Sequence, residues 1–342
     1  MSPRAELPAD DSPADDCKVS RRRWLVASAG LTAAAAASSG SLASVEAGQD
    51  PGRANPAEPR FRYCLNTATI RGQKLSLPEQ IAVAADAGYS GLEPWVGDLQ
   101  EHVKSGRSLD DVAKQVRDRG LAVPSSIAFF PWIVEDAAQR ARGLEQAKRE
   151  MDLARRIGAT RIAAPPAGAR DGDRISLSAA AERYRALLDL GVSMGIVPHL
   201  ELWGFSKVFS RLGEAVCVAM ESDHPQACLL LDVFHIYKGG SDFRELRFVN
   251  GRVVHVLHMN DYPSRPPRAE INDGARVFPG DGVAPLSLVL RTLHEGGFDG
   301  FLSLEVFNRD YWRQDAHLVA RTGLQKMRAA AHLALAGSAR NS

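Results

Sequence analysis

Leu229-Leu230-Leu231-Asp232-Val233-Phe234-His235 is the stretch on which the fold turns. Three leucines run into an aspartate, and a histidine follows three residues later. An unbroken apolar run of this kind suits a strand buried on both faces, as parallel sheets require. A carboxylate at its end is costly to bury alone, so Asp232 needs a cation or an opening to water. Three other runs end the same way: His199-Leu200-Glu201, Val253-Val254-His255-Val256-Leu257-His258 and Phe301-Leu302-Ser303-Leu304-Glu305. Glu201, Asp232, His258 and Glu305 are therefore expected as one ring of ligands at one end of a barrel.

Outward from these runs the chain keeps one rhythm. Short apolar stretches at Arg62–Asn66, Gly91–Glu93, Leu121–Ile127, Arg161–Ala164, Val197–Glu201, Cys228–Asp232, Val253–His258 and Phe301–Glu305 read as strands. Between them lie helical patterns at Leu77–Ala87, Ser108–Gly120, Ala138–Ile157, Leu177–Met194, Leu212–Ser222 and Leu286–Glu295, with a closing helix at Asp315–Leu335. Pro78 suits a first helical turn, and Gly88, Gly158 and Gly195 are stops. The connections are too long for hairpins, so the strands run parallel. Eight such units predict an α/β fold, a single-domain (β/α)8 TIM barrel, with its chemistry at the C-terminal ends of the strands. A doubly wound sheet would carry a glycine-rich phosphate turn after its first strand, and Asn66-Thr67-Ala68-Thr69 is not one.

The chain of 342 residues, 45% hydrophobic, is long enough for such a core plus extensions. A formal net charge of +1 makes no electrostatic case for nucleic acid. Cys17, Cys64, Cys217 and Cys228 lack metal-site spacing and read as mostly buried thiols.

Ser20-Arg21-Arg22-Arg23-Trp24-Leu25, followed by the alanine-rich run Val26–Ala37, resembles a twin-arginine export signal. Val45-Glu46-Ala47 offers a cleavage site. Residues 1–47 are thus expected as the signal, 48–60 as a linker, 61–336 as the barrel and 337–342 as a tail. The expectation is an exported, periplasmic protein that engages the twin-arginine machinery, or a membrane-tethered one if the signal stays uncleaved.

Two glutamates, one aspartate and one histidine make an oxygen-rich set without thiolates. Such a set suits Mn²⁺, Mg²⁺ or Co²⁺, with Zn²⁺ and Fe²⁺ open, rather than structural zinc. Converging carboxylates repel unless a cation joins them. His235, on the loop leaving its strand, is read as a contact to a substrate hydroxyl. His199 is placed to support Glu201, and His255 sits deeper and is not taken as a ligand. Arg276, in Arg276-Val277-Phe278-Pro279-Gly280-Asp281-Gly282, can reach the site to bind a substrate oxygen. Trp95, Trp132, Trp203 and Phe307 fall just after strand ends, where such rings pack on the apolar faces of sugars.

Glu201-Leu202-Trp203, Leu231 to His235, His258-Met259-Asn260-Asp261, Arg276 to Gly282 and Leu304-Glu305 resemble the xylose isomerase-like TIM barrels. Within these, the sugar-phosphate isomerase/epimerase group is the nearest in pattern, with its ketose 3-epimerases, hydroxypyruvate isomerases and inosose isomerases or dehydratases. The resemblance spans about residues 60–335. It implies that Glu201, Asp232, His258 and Glu305 bind one divalent metal, often Mn²⁺, that Glu201 and Glu305 are the acid/base pair, and that His235 and Arg276 touch substrate oxygens. The chain departs from the ketose 3-epimerases at Lys207, where they carry an acidic substrate contact, and in a longer loop between His258 and Arg276. Both departures argue against a free ketohexose.

The implied activity is a metal-dependent sugar isomerase or epimerase. A proton is moved α to a carbonyl through a metal-stabilised enediolate, on a sugar or keto-polyol. The alternatives are an exported lyase or dehydratase acting on 3-keto sugars or inososes, and a sugar-binding barrel without catalysis. A metal-dependent endonuclease of the same superfamily would need more histidines and a basic groove. The sequence leaves a homo-oligomer open.

Overall fold

A computed structural model describes residues 61–169 and 175–336. The expected export signal, linker and tail lie outside these residues. Among the described residues there are seven strands: β1 Arg62–Asn66, β2 Gly91–Glu93, β3 Arg161–Ala164, β4 Val197–Glu201, β5 Leu229–Asp232, β6 Val254–Met259 and β7 Phe301–Leu304. They form one sheet in the order β2-β1-β7-β6-β5-β4-β3, with every pairing parallel.

The expected strand at Leu121–Ile127 is the one correction to the strand count. It lies between the two ends of the sheet and touches both through single parallel bridges, Gly91 with Ala122, Trp95 with Ile127 and Ser126 with Ile162. Ala122 exchanges backbone bonds with Ser90 and Leu92, and Ser126 with Arg161 and Ala163. Pro124, between these contacts, has no N–H to give a ladder, so the stretch bridges its neighbours without becoming a continuous strand. The sheet is closed through it, and the architecture is a TIM barrel.

Alternation along the strands sorts the side chains into two layers. Leu229 and Leu231 point outward into the main core under the helices, whereas Leu230 packs inside the barrel with Ile127, Ala163 and Val256. Asp232, two residues beyond Leu230, therefore faces inward. The same count turns His258 inward after Val256. Leu302 and Leu304 lie in the outer core, which leaves Ser303 and Glu305 to the inside.

The surrounding helices are α1 Leu77–Ala87, α2 Val96–Lys104, α3 Leu109–Asp118, α4 Ala137–Arg156, α5 Leu177–Met194, α6 Leu212–Glu221, α7 Val233–Gly239, α8 Leu286–Glu295 and α9 Ala316–Ala336. Their ends follow local chemistry. Ser76 and Glu79 form a capping box at α1, Ser108 caps α3 by accepting from Asp110 N, and Gly195 closes α5 in the left-handed region at φ 72. Among the described residues no helix is long and apolar enough to cross a membrane. Cys64, Cys217 and Cys228 are free thiols, and Cys64 and Cys228 are buried.

Candidate active site

The four predicted ligands meet at the C-terminal end of the strands. Glu201 closes β4, Asp232 closes β5, His258 lies near the end of β6 and Glu305 follows β7. His258 Nδ1 is the point of convergence: it lies 3.2 Å from Glu305 Oε2, 3.5 Å from Asp232 Oδ2 and 3.6 Å from Glu201 Oε1. All four side chains are buried, and Nδ1 makes no aligned hydrogen bond.

A divalent ion with bonds of about 2.0–2.2 Å holds neighbouring donors roughly 3.0–3.5 Å apart. The spacings from His258 Nδ1 to Glu305 and Asp232 fall in that range, and the 3.6 Å to Glu201 lies just beyond it. Donor atoms of Asp232, His258 and Glu305 form one group able to hold a metal ion, and those of Glu201, Asp232 and His235 form a second that shares Asp232. An orphaned imidazole nitrogen beside three carboxylates is the chemistry of a cation site, so the residues present fit one.

Arg276 goes deeper than expected. Its Nη1 donates to Asp232 Oδ2 at 2.6 Å and to Glu305 Oε2 at 3.0 Å, and its Nε donates to Asp273 Oδ1 at 3.0 Å. The guanidinium lies over the rings of Phe234 and Phe307. Its loop is anchored by Asp261, whose carboxylate accepts from the backbone N–H of Gly280, Gly282 and Ala284. Gly282 is required there, because a Cβ would stand 2.3 Å from Asp261 Oδ1.

His235 is placed on α7, a short helix, and not on a loop. Asp232 is the cap of that helix and accepts from His235 N at 3.0 Å. His235 Nε2 lies 3.3 Å from Arg276 Nη2. The Trp203 loop is pressed onto α7 at Gly204, where a Cβ would meet Gly239 N and His235 O at 2.7 Å.

Above the acids is a cavity of about 230 Å³. Glu201, His235, Arg276 and Glu305 line its floor, and Trp95, Phe129, Trp203, Phe205 and Phe307 line its walls. Trp95 and Trp203 thus stand where the sequence led us to expect them. Trp132 does not: it is fully buried, its Nε1 donates to Pro165 O and its ring packs against Tyr184. In that aromatic loop it is Phe129 that reaches the cavity, packed at a tilt between Trp95 and Trp203. His199 also departs from expectation, since its Nε2 is bonded to Ser125 Oγ at 2.8 Å and not to Glu201. His255 lies at the other end of the barrel beside Arg161 and lines a separate cavity.

The electrostatics follow from burial and pairing. Burial pushes Glu201 up to about 7, with Glu305 and Asp232 adding to it against His258. Burial alone would raise Asp232, but the charge of Arg276, helped by His235 and His258, holds it well below the usual carboxylate range. Burial opposes the charge on His258 too, and Glu305 and Glu93 override it, so this imidazole is raised well above its ordinary value. Burial lowers His235 to about 4.

Four residues that sequence reading passed over complete the arrangement. Glu93 at the end of β2 is bonded to His258, Asn66 Nδ2 joins Glu93 Oε2 to Glu305 Oε1, Asp273 holds Arg276, and Asn260 Nδ2 donates to Asp232. Glu93 carried the signal, since Gly91-Leu92-Glu93 ends in an acid like the other runs. Asp273 carried none, because it opens a short 3-10 turn and does not close a strand.

Known proteins share this fold. The curated relatives include an inosose isomerase of Bacillus velezensis, 24% identical over 267 residues, which cover 77% of this chain and 94% of the relative. They also include a 3-dehydroshikimate dehydratase of Pseudomonas aeruginosa, 27% identical over 258 residues, 74% of this chain. The chain spans only 39% of that dehydratase's length. Among solved structures, the IOLI protein with a bound zinc atom superposes with a TM-score of 0.73 at 22% identity, covering 80% of this chain and 98% of that one. L-ribulose 3-epimerase superposes at 0.67 with 18% identity, covering 83% and 98%. The family described as xylose isomerase-like TIM barrel matches residues 81–330, and the chain belongs to that family.

Proposed function

We propose that the protein is a divalent-metal-dependent enzyme that moves a proton α to the carbonyl of a sugar or keto-polyol, with isomerisation or epimerisation as the outcome. The observation that carries this reading is the convergence of Glu201, Asp232 and Glu305 on the orphaned Nδ1 of His258, beneath an aromatic-walled cavity. Glu201, Asp232, His258 and Glu305 would hold the metal, and three carboxylates with one imidazole favour Mn²⁺. When bound, the cation supplies Lewis acidity that polarises the carbonyl and stabilises charge next to it.

The protein's own groups do the rest. Two carboxylates at the cavity floor supply a base and a conjugate acid, and a Glu201 carboxyl near 7 can hold or release a proton at neutral pH. Return of the proton to the opposite face of the same carbon epimerises, and return to the neighbouring carbon isomerises. His235 and Arg276 offer polar contacts to substrate oxygens. Trp95, Trp203 and Phe307 provide apolar surface for the faces of a ring and limit water.

A second reading is favoured by the similarity to 3-dehydroshikimate dehydratases. In it the same α-proton is removed, the electron pair forms a double bond, and a β-hydroxyl leaves as water after protonation by the enzyme's acid. Export, as expected from the arginine motif, would favour a 3-keto sugar or inosose over a phosphorylated metabolite. Replacing Arg21, Arg22 and Arg23 by lysine should then hold the precursor in the cytoplasm, as read by cell fractionation.

The deciding experiment is deuterium exchange by NMR. Mn²⁺-loaded protein is incubated in D₂O with ketoses, inososes and 3-keto glucosides. Exchange at the α-carbon, lost in Glu305→Gln, supports enolisation, and the product separates isomerase, epimerase and lyase. No exchange on any of these compounds with metal bound would favour a binding barrel.

A further inference from the structure

Glu93 lies outside the expected ligand ring, yet one oxygen of its carboxylate is heavily engaged. It is fully buried. Its Oε2 alone accepts three hydrogen bonds: from Asn66 Nδ2 at 3.0 Å, from His258 Nε2 at 3.1 Å and from Ser303 Oγ at 2.6 Å. Three donors crowded on one oxygen favour the negative charge of a carboxylate, which accepts more strongly than a neutral amide.

The imidazole of His258 has one nitrogen on each side of this arrangement. Nε2 faces Glu93, and Nδ1 faces Glu201, Asp232 and Glu305. A neutral imidazole carries one N–H, and the tautomer follows the hydrogen bond that the ring makes. When Nδ1 gives up its proton, the N–H that remains is Nε2–H, donated to Glu93, and the lone pair is on Nδ1, the nitrogen with no other hydrogen-bond partner.

We propose that Glu93 is a positioning residue for the metal site: it holds His258 in the Nε2–H tautomer and fixes its ring so that Nδ1 is the ligating nitrogen. This rests on the metal site proposed above. Glu93 reaches the metal only through His258, and Asn66 and Ser303 orient its carboxylate in turn. Carboxylate partners of ligating histidines strengthen the ligand and set its direction, and losing one costs about 10–100-fold in metal affinity.

The test uses Zn²⁺ as a diamagnetic probe on the full chain. In the wild-type protein, ¹⁵N NMR of the zinc-loaded state is expected to show His258 bound through Nδ1 and protonated at Nε2. Glu93→Gln, folded by circular dichroism, is expected to bind Zn²⁺ about 10–100-fold more weakly by chelator competition. Zinc on Nε2 in the wild type, or affinity within twofold of wild type in the folded variant, would overturn the proposal while leaving the metal site standing. Failure of the wild type to bind Zn²⁺ or Mn²⁺ would overturn both. If Glu93→Gln does not fold, the wild-type spectrum decides by itself.

Discussion

Arg276 Nη1 lies 2.6 Å from Asp232 Oδ2, although the two residues are 44 apart in sequence and both are buried. The guanidinium thereby answers part of the negative charge that Asp232 and Glu305 bring to the barrel mouth. Removing one partner of such a buried pair leaves an uncompensated charge, which costs about 3–5 kcal/mol. Arg276→Met should therefore lose about that much stability in chelator-treated protein, measured by urea denaturation. Saturating Mn²⁺ should recover a good part of the loss, because a second cation then serves the same carboxylates. An equal loss with and without metal would contradict a cation site here.

Metal binding should release protons. In the metal-free site, burial raises Glu201 to about 7, and Glu305 and Glu93 keep a proton on His258 well above the ordinary imidazole range. Both must give up protons to act as ligands, so affinity should rise with pH across about pH 6 to 8. Calorimetry in buffers of different ionisation enthalpy should report roughly one to two protons released per ion near neutrality. Uptake of protons, or none exchanged, would argue that other groups bind.

Glu201→Gln and Glu305→Gln should each lower α-deuterium exchange by about 10²–10⁴-fold, the range carried by a positioned acid or base. Both variants should still fold. Full exchange in either would remove that carboxylate from the proton-transfer role.

The tryptophans should separate into two kinds. Trp132→Ala opens the sealed core and should cost about 3–5 kcal/mol in denaturation. Trp95→Ala, at the cavity wall, should cost far less and should raise KM, as read from exchange rates against substrate concentration. A Trp132 variant of normal stability with altered KM would reverse this assignment.

At the opposite end of the barrel, burial and the charge of Arg161 lower His255 to about 4. The unfolded chain takes up this proton near 6.5, and the native state does so only near 4. Stability from this group is therefore complete above about pH 6.5 and is lost as the pH falls toward 4. His255→Asn should flatten the acid side of the stability profile relative to wild type, followed by denaturation midpoints at stepped pH.

The sequence by itself determined the order of elements and the inward set of acids. Apolar runs such as Leu229–Leu231 suit strands covered on both faces, and period-two alternation then sends Asp232, His258 and Glu305 to one side. That signal is local and needs no partner to be read. It also overreached: the repeated rhythm of short apolar stretches made Leu121–Ile127 a strand like the rest, whereas Pro124 and the two ends of the sheet that it bridges reduce it to isolated contacts. Tertiary structure alone decided that Phe129 and not Trp132 meets the cavity, that His199 turns to Ser125, and that Asp273 and Glu93 hold Arg276 and His258. These are choices of direction and pairing between residues tens to hundreds apart in sequence. They are set by which neighbour satisfies a buried polar group, and only the closed barrel supplies those neighbours.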